Sequence, residues 1–104
     1  MAKLIPCDGR PHPLSSSMTE SSSGVRESTN RQGAIETVQV SAQNDLARQI
    51  NEAKCEGGCL KSDATINLGR TTCDCHRLWY TLWIFVTCTA TVTADTTITC
   101  SPQG

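Results

Sequence analysis

Cysteines are the residues of this sequence best equipped to do chemistry, and six of the seven fall between Cys55 and Cys100, as Cys55-Glu56-Gly57-Gly58-Cys59, Cys73-Asp74-Cys75, Cys88 and Cys100. Sulfur at that density in a short chain bridges to sulfur or binds a metal ion. Bridging would take Cys55, Cys59, Cys73, Cys75, Cys88 and Cys100 into three intrachain disulfides, with the pairing left open. The odd count leaves Cys7, on a separate N-terminal stretch, as the thiol that pairs between molecules. The metal alternative gathers Cys55, Cys59, Cys73 and Cys75 into a tetrahedral zinc site in an intracellular binding module. Its weakness is spacing, since Cys73 and Cys75 are separated by one residue and structural zinc sites favour steps of two to four.

Nucleophilic catalysis finds no partner for these thiols. His76 follows Cys75 directly, so on a strand their side chains point to opposite faces. His12 sits between Pro11 and Pro13, and neither a carboxylate pair nor a glycine-rich phosphate loop is present. The chain is therefore expected not to be an enzyme and to carry no cofactor.

The elements that must position these cysteines are few. The chain has 104 residues, 38% of them apolar, and a formal charge of -1. Its nine basic residues are scattered among ten acidic ones. Phosphate binding needs a basic stripe, so nucleic acid is not an expected partner. A domain this small buries little apolar surface, and cross-links are the usual remedy. Lasting disulfides call for an oxidising compartment, so a secreted, extracellular protein is expected. No leader is legible in Met1-Ala2-Lys3-Leu4-Ile5, because Pro6, Cys7 and Asp8 end the run early.

Prolines, serine triplets and mixed charges over residues 1–34 predict a flexible Ser/Pro-rich arm. A folded domain is expected over residues 35–104. Val38 and Val40 alternate as in a strand. Leu46, Ala47, Ile50 and Ala53 recur at helical steps. Ala64, Ile66 and Leu68 alternate as a strand ended by Gly69. Leu78 to Ala94 is uncharged and long enough to touch the lower limit of a membrane span. Yet Thr87, Thr89, Thr91 and Thr93 alternate with Cys88, Ala90, Val92 and Ala94, the period of a strand, so no membrane insertion is expected. Asp95, Thr96 and Thr97 then predict a turn into a short last strand. Arg77 with Trp79, Tyr80, Trp83 and Phe85 has the composition of an interface hot spot, and core packing competes as an explanation for all four aromatics, most strongly for Trp83 and Phe85. Arg77, Trp79 and Tyr80 are the expected receptor-contact residues.

Cys55-x-Gly57-x-Cys59 is a step by which cystine-knot ligands close a small disulfide ring. Around it, Asn44-Asp45, Arg48, Ile50, Glu52-Ala53-Lys54-Cys55 and Gly58-Cys59-Leu60 resemble a segment of interleukin-17 family cytokines. Tyr80, Ile84, Val86, Cys88 and Thr89 resemble that family's last core strand. The resemblance implies an all-β, disulfide-rich cystine-knot fold behind a disordered arm, and a secreted cytokine that forms a homodimer and engages a cell-surface receptor. It further implies a bond from Cys55 to Cys88 and one from Cys59 to position 90. Position 90 is alanine, which leaves Cys73, Cys75 and Cys100 for Cys59. The spacing from Cys55 to Cys100 is also similar to C-terminal-knot domains and glycoprotein-hormone relatives, which again implies an extracellular β-rich ligand.

Overall fold

The computed structural model describes residues 3–80 and 83–102, with side chains described for 3–77 and 85–102. Its elements run β1 (Leu4–Ile5), β2 (His12–Gly24), α1 (Glu27–Glu52), β3 (Lys54–Cys55), a 3-10 turn (Glu56–Gly58), β4 (Leu60–Lys61), β5 (Asn67–Leu68), β6 (Thr72–Tyr80), β7 (Trp83–Ile98) and β8 (Cys100–Ser101). The molecule is long and thin, 69 × 23 × 13 Å.

β7 is the axis. It pairs antiparallel with β2 from His12↔Ile98 to Gly24↔Val86. Its other edge takes β6, from Thr72↔Thr91 to Tyr80↔Trp83, and then β5. The two-residue period of Thr87 to Ala94 dictates this strand directly, because β-branched threonine and valine favour the extended backbone. β2 has no such local preference. Its serines are extended because β7 supplies a partner along the whole stretch, a case of pairing overriding propensity.

α1 lies over one face of this sheet. At a rise of 1.5 Å per residue its 26 residues reach about 39 Å, and the 13 residues of β2 reach about 44 Å. The helix therefore covers nearly the full length of the β2–β7 pair. Its buried row is Asn30, Ala34, Val38, Ala42 and Leu46. Opposite lie Leu14 on β2 and Val86, Cys88, Ala90, Val92, Ala94 and Ile98 on β7, all buried. Alanine recurs on both sides, which lets the helix approach closely but removes little apolar area from water. Glu27 in the first turn suits the positive end of the helix dipole. At the other end the Lys61 ammonium donates to the Ile50 and Ala53 carbonyls at 2.7 and 3.1 Å, satisfying groups that helical bonding leaves bare.

Several expectations are corrected. The fold is mixed α and β rather than all-β, and no disordered arm precedes it, since much of residues 1–34 forms β1, β2 and the start of α1. Val38 and Val40 lie in the helix, which takes in the expected helical positions Leu46, Ala47 and Ile50, ends before Ala53 and extends far upstream. Asp95, Thr96 and Thr97 continue β7 instead of turning. The resemblances to interleukin-17 cytokines and to other cystine-knot ligands are overturned by the 26-residue helix and by the sulfur pairing: Cys55 bonds Cys100, not Cys88. The upstream part of the helix leaves little trace in the sequence because the buried row includes two alanines and an asparagine, which carry almost no hydrophobic period.

Asn30 fixes where the helix begins over the sheet. Its side-chain amide donates to the Val86 carbonyl at 3.0 Å and accepts from the Ser22 hydroxyl at 3.3 Å. Gly24 leaves room for it, since a Cβ there would stand 3.0 Å from Asn30 Oδ1. Truncation in Asn30→Ala is expected to cost about 1–3 kcal/mol in urea unfolding, because buried groups lose their partner. The exposed Asn44→Ala should change stability by less than about 0.5 kcal/mol.

Candidate contact surfaces

The sulfurs divide into two groups. At one end Cys7 bonds Cys59 and Cys55 bonds Cys100. This clamp ties together the segment before β2, the segment after α1 and the C-terminal strand. Backbone bonds follow the same joins: Lys54 N–H to the Lys3 carbonyl at 2.8 Å, Gly9 N–H to the Cys100 carbonyl at 3.0 Å, and Ser62 N–H to the Thr99 carbonyl at 2.9 Å. Twelve residues back along the chain from Cys100, roughly 40 Å in extended form, Cys75 bonds Cys88 directly across β6 and β7. Cys73 is the free cysteine.

The expected zinc set is thus not assembled. Cys55 and Cys59 belong to the clamp, Cys75 to the ribbon, and each of the three is bonded to another sulfur. Cys7, expected to link two molecules, is joined within the chain to Cys59, and Cys73 takes its place as the odd thiol. His76 stands opposite Thr87 on the solvent side of β6, away from Cys75. His12 Nε2 meets the Asp8 carboxylate at 2.9 and 3.1 Å at the surface. That contact, with the Arg10 amide, holds the Asp8 carboxyl below the usual range.

The sheet face turned away from α1 carries rows of hydroxyls. Ser17 and Thr93 oxygens are 2.8 Å apart, Thr19 and Thr91 3.2 Å, Ser21 and Thr89 3.0 Å, and Ser23 and Thr87 2.8 Å. Cross-strand pairs of this kind satisfy each other while each hydroxyl keeps capacity for water or a ligand. Sequence reasoning found the threonines on β7 but not Ser15, Ser17, Thr19, Ser21 and Ser23. Their two-residue period was present, hidden among the other serines of what reads as low complexity.

A second surface is the end of the β6–β7 ribbon. β2 stops at Gly24 opposite Val86, and Asn30 in the first turns of α1 also meets Val86. Beyond that level the pairs Leu78↔Phe85, Trp79↔Ile84 and Tyr80↔Trp83 continue, an overhang of about 10 Å with no β2 residue beside it. Arg77 is exposed at its base, and Phe85 is 38% exposed rather than in the core. The side chains of Trp79, Tyr80 and Trp83 lie outside the described residues, and backbone register alone places these residues here. Among the described residues no helix is long and apolar enough to cross a membrane.

No protein-family model, no characterised protein and no solved structure matches this chain.

On the helix flank near the clamp, Asp45 accepts from the Ser16 hydroxyl at 2.7 Å, from Arg48 at 2.7 Å and from Gln49 at 2.9 Å. These donors, Ser16 foremost, lower its carboxyl to about 2. A depressed carboxyl pKa adds stability above the unfolded value, and that stability is lost as the pH falls from 3.8 toward about 2. In Asp45→Asn this part of the acid dependence should vanish. Urea midpoints across that pH window check it, with the wild-type and variant curves expected to converge at the acid end.

Proposed function

We propose that this chain is a secreted ligand that acts by contact with a cell-surface protein, using the overhanging end of the β6–β7 ribbon. The observation that carries this reading is the overhang itself. Three residue pairs run past the end of β2, and their sequence, Leu78 to Phe85, is uncharged and holds two tryptophans, a tyrosine and a phenylalanine. Aromatic residues with an arginine at the base have the composition that dominates binding energy at protein interfaces. Three disulfides suit an oxidising compartment, which supports placing the encounter outside the cell. A covalent pair of copies would use Cys73, the free cysteine, in place of Cys7.

The test uses labelled full-length protein on intact cells. Saturable binding is expected, abolished by protease treatment of the cells and weakened roughly tenfold or more by the double substitution Trp79→Ser and Tyr80→Ser. Unfolding midpoints of the variant should match wild type, and Thr91→Ala on the hydroxyl face should bind normally. Equal binding to protein-free phospholipid vesicles would replace a protein receptor with a lipid surface. Absence of cell binding would remove the proposal.

A second reading rests on the hydroxyl rows. Hydroxyls repeating at every second residue on adjacent strands form a near-regular grid, and the partner such a grid would match is an ordered hydrogen-bonding solid such as ice. A gap between melting and freezing points in the presence of a seed crystal, lost in Thr89→Leu with Thr91→Leu, would favour it. No gap would dismiss it.

A further inference from the structure

Cys73, Cys75 and Cys88 bring three sulfur atoms within 4.8 Å of one another. Two of them share a bond and the third is a half-buried free thiol. We propose that this trio is a thiol–disulfide exchange site in which the bond to Cys88 passes between Cys75 and Cys73. The overhang plays no part in it, so it stands independently of the contact surface proposed above, although a bond between copies would occupy the same Cys73 thiol.

The pairing of the strands decides which sulfur is attacked. Cys73 and Cys75 lie on the same strand two residues apart, so their Cβ atoms are separated by about 7 Å. A disulfide holds its Cβ atoms near 3.8 Å, so a Cys73–Cys75 bond would have to distort a single strand, whereas Cys73 and Cys88 are diagonal neighbours on two strands, which a small shift of one strand against the other brings together. Cys88 is on the adjoining strand, directly opposite Cys75, and the residue directly opposite Cys73 is Ala90. A methyl group there leaves Cys73 no competing cross-strand partner, and its sulfur meets the neighbouring bridge instead. The Arg31 guanidinium donates to the Cys73 carbonyl at 3.1 Å, anchoring this part of β6 to the helix. Cys88 Sγ, buried, stands 3.8 Å from the Glu27 carbonyl oxygen at the start of α1.

In the step itself, the Cys73 thiol gives its proton to water, and the resulting thiolate attacks Cys88 Sγ. A lone pair of Cys73 becomes the new S–S bond. The electron pair of the Cys75–Cys88 bond departs on Cys75 Sγ, which then takes a proton from water. One thiol and one disulfide exist before and after, so no oxidant or reductant is consumed. The other bridges are too distant to join, because the nearer clamp disulfide lies at Cys100, roughly 40 Å along the chain from Cys88. The free thiol is thereby shared between positions 73 and 75, and Cys88 is bonded in either form.

Two measurements on the full chain test this. Wild-type protein is held at mildly alkaline pH without reductant, quenched with an excess of maleimide, digested and mapped. Label is expected on both Cys73 and Cys75, with none on Cys88; label confined to Cys73 overturns the proposal. The second measurement is Cys75→Ser, where intact mass after alkylation should show no free thiol and mapping should find a Cys73–Cys88 bond. Alkylated Cys73 and Cys88 in a variant with wild-type circular dichroism would overturn it equally. Should the variant fail to fold, the wild-type map decides alone.

Discussion

Two sulfur bonds at the clamped end, Cys7–Cys59 and Cys55–Cys100, are the constraint on which the other features depend. Between α1 and the sheet the core is built largely from Ala34, Ala42, Ala90 and Ala94 with a few valines, leucines and isoleucines. Such a layer removes limited apolar area per ordered residue, while every residue fixed loses about 1–2 kcal/mol of chain entropy. The bridges act on the unfolded side. Loops of 52 and 45 residues give about 4 kcal/mol each in the chain-entropy treatment, and the 13-residue ribbon loop about 3. The two long loops interleave, so their effects do not simply add. Even one is a large fraction of the 5–15 kcal/mol by which a domain is stable.

Beyond the clamped end, one layer, the helix, covers the sheet. The alternation in β7 sends Val86, Cys88, Ala90, Val92 and Ala94 toward the helix and Thr87, Thr89, Thr91 and Thr93 toward water. β2 copies that division at one-to-one register, so its serines and threonine meet the threonines of β7 hydroxyl to hydroxyl. A single pattern thus makes both the packed face and the solvated one. The described ribbon pairs beyond Gly24 depart from this arrangement, because β2 ends at that level.

Much of β7 was legible, since threonine and small apolar residues alternate there without interruption. The need for disulfides was legible too, from cysteine density against chain length. Their partners were not: Cys7 looks detached in the sequence, yet β1 pairs with β3 and carries it to Cys59, a contact across some fifty residues that no local pattern encodes. The helix was visible near Leu46 and Ile50 and invisible near Asn30 and Ala34, where the buried residues are small or polar. β2 was the least legible element. Serine prefers neither strand nor helix strongly, and its extended state comes from the partner strand seventy residues away in sequence.

The account is tested most directly by reducing all three bridges, blocking the thiols and following circular dichroism through a urea titration at neutral pH. The clamped, thin-cored fold predicts loss of the helical signal and of a cooperative transition, with the untreated protein unfolding sharply. A blocked, bridge-free chain that keeps its helix and unfolds at the untreated midpoint would show that packing alone holds the molecule, contrary to the central claim.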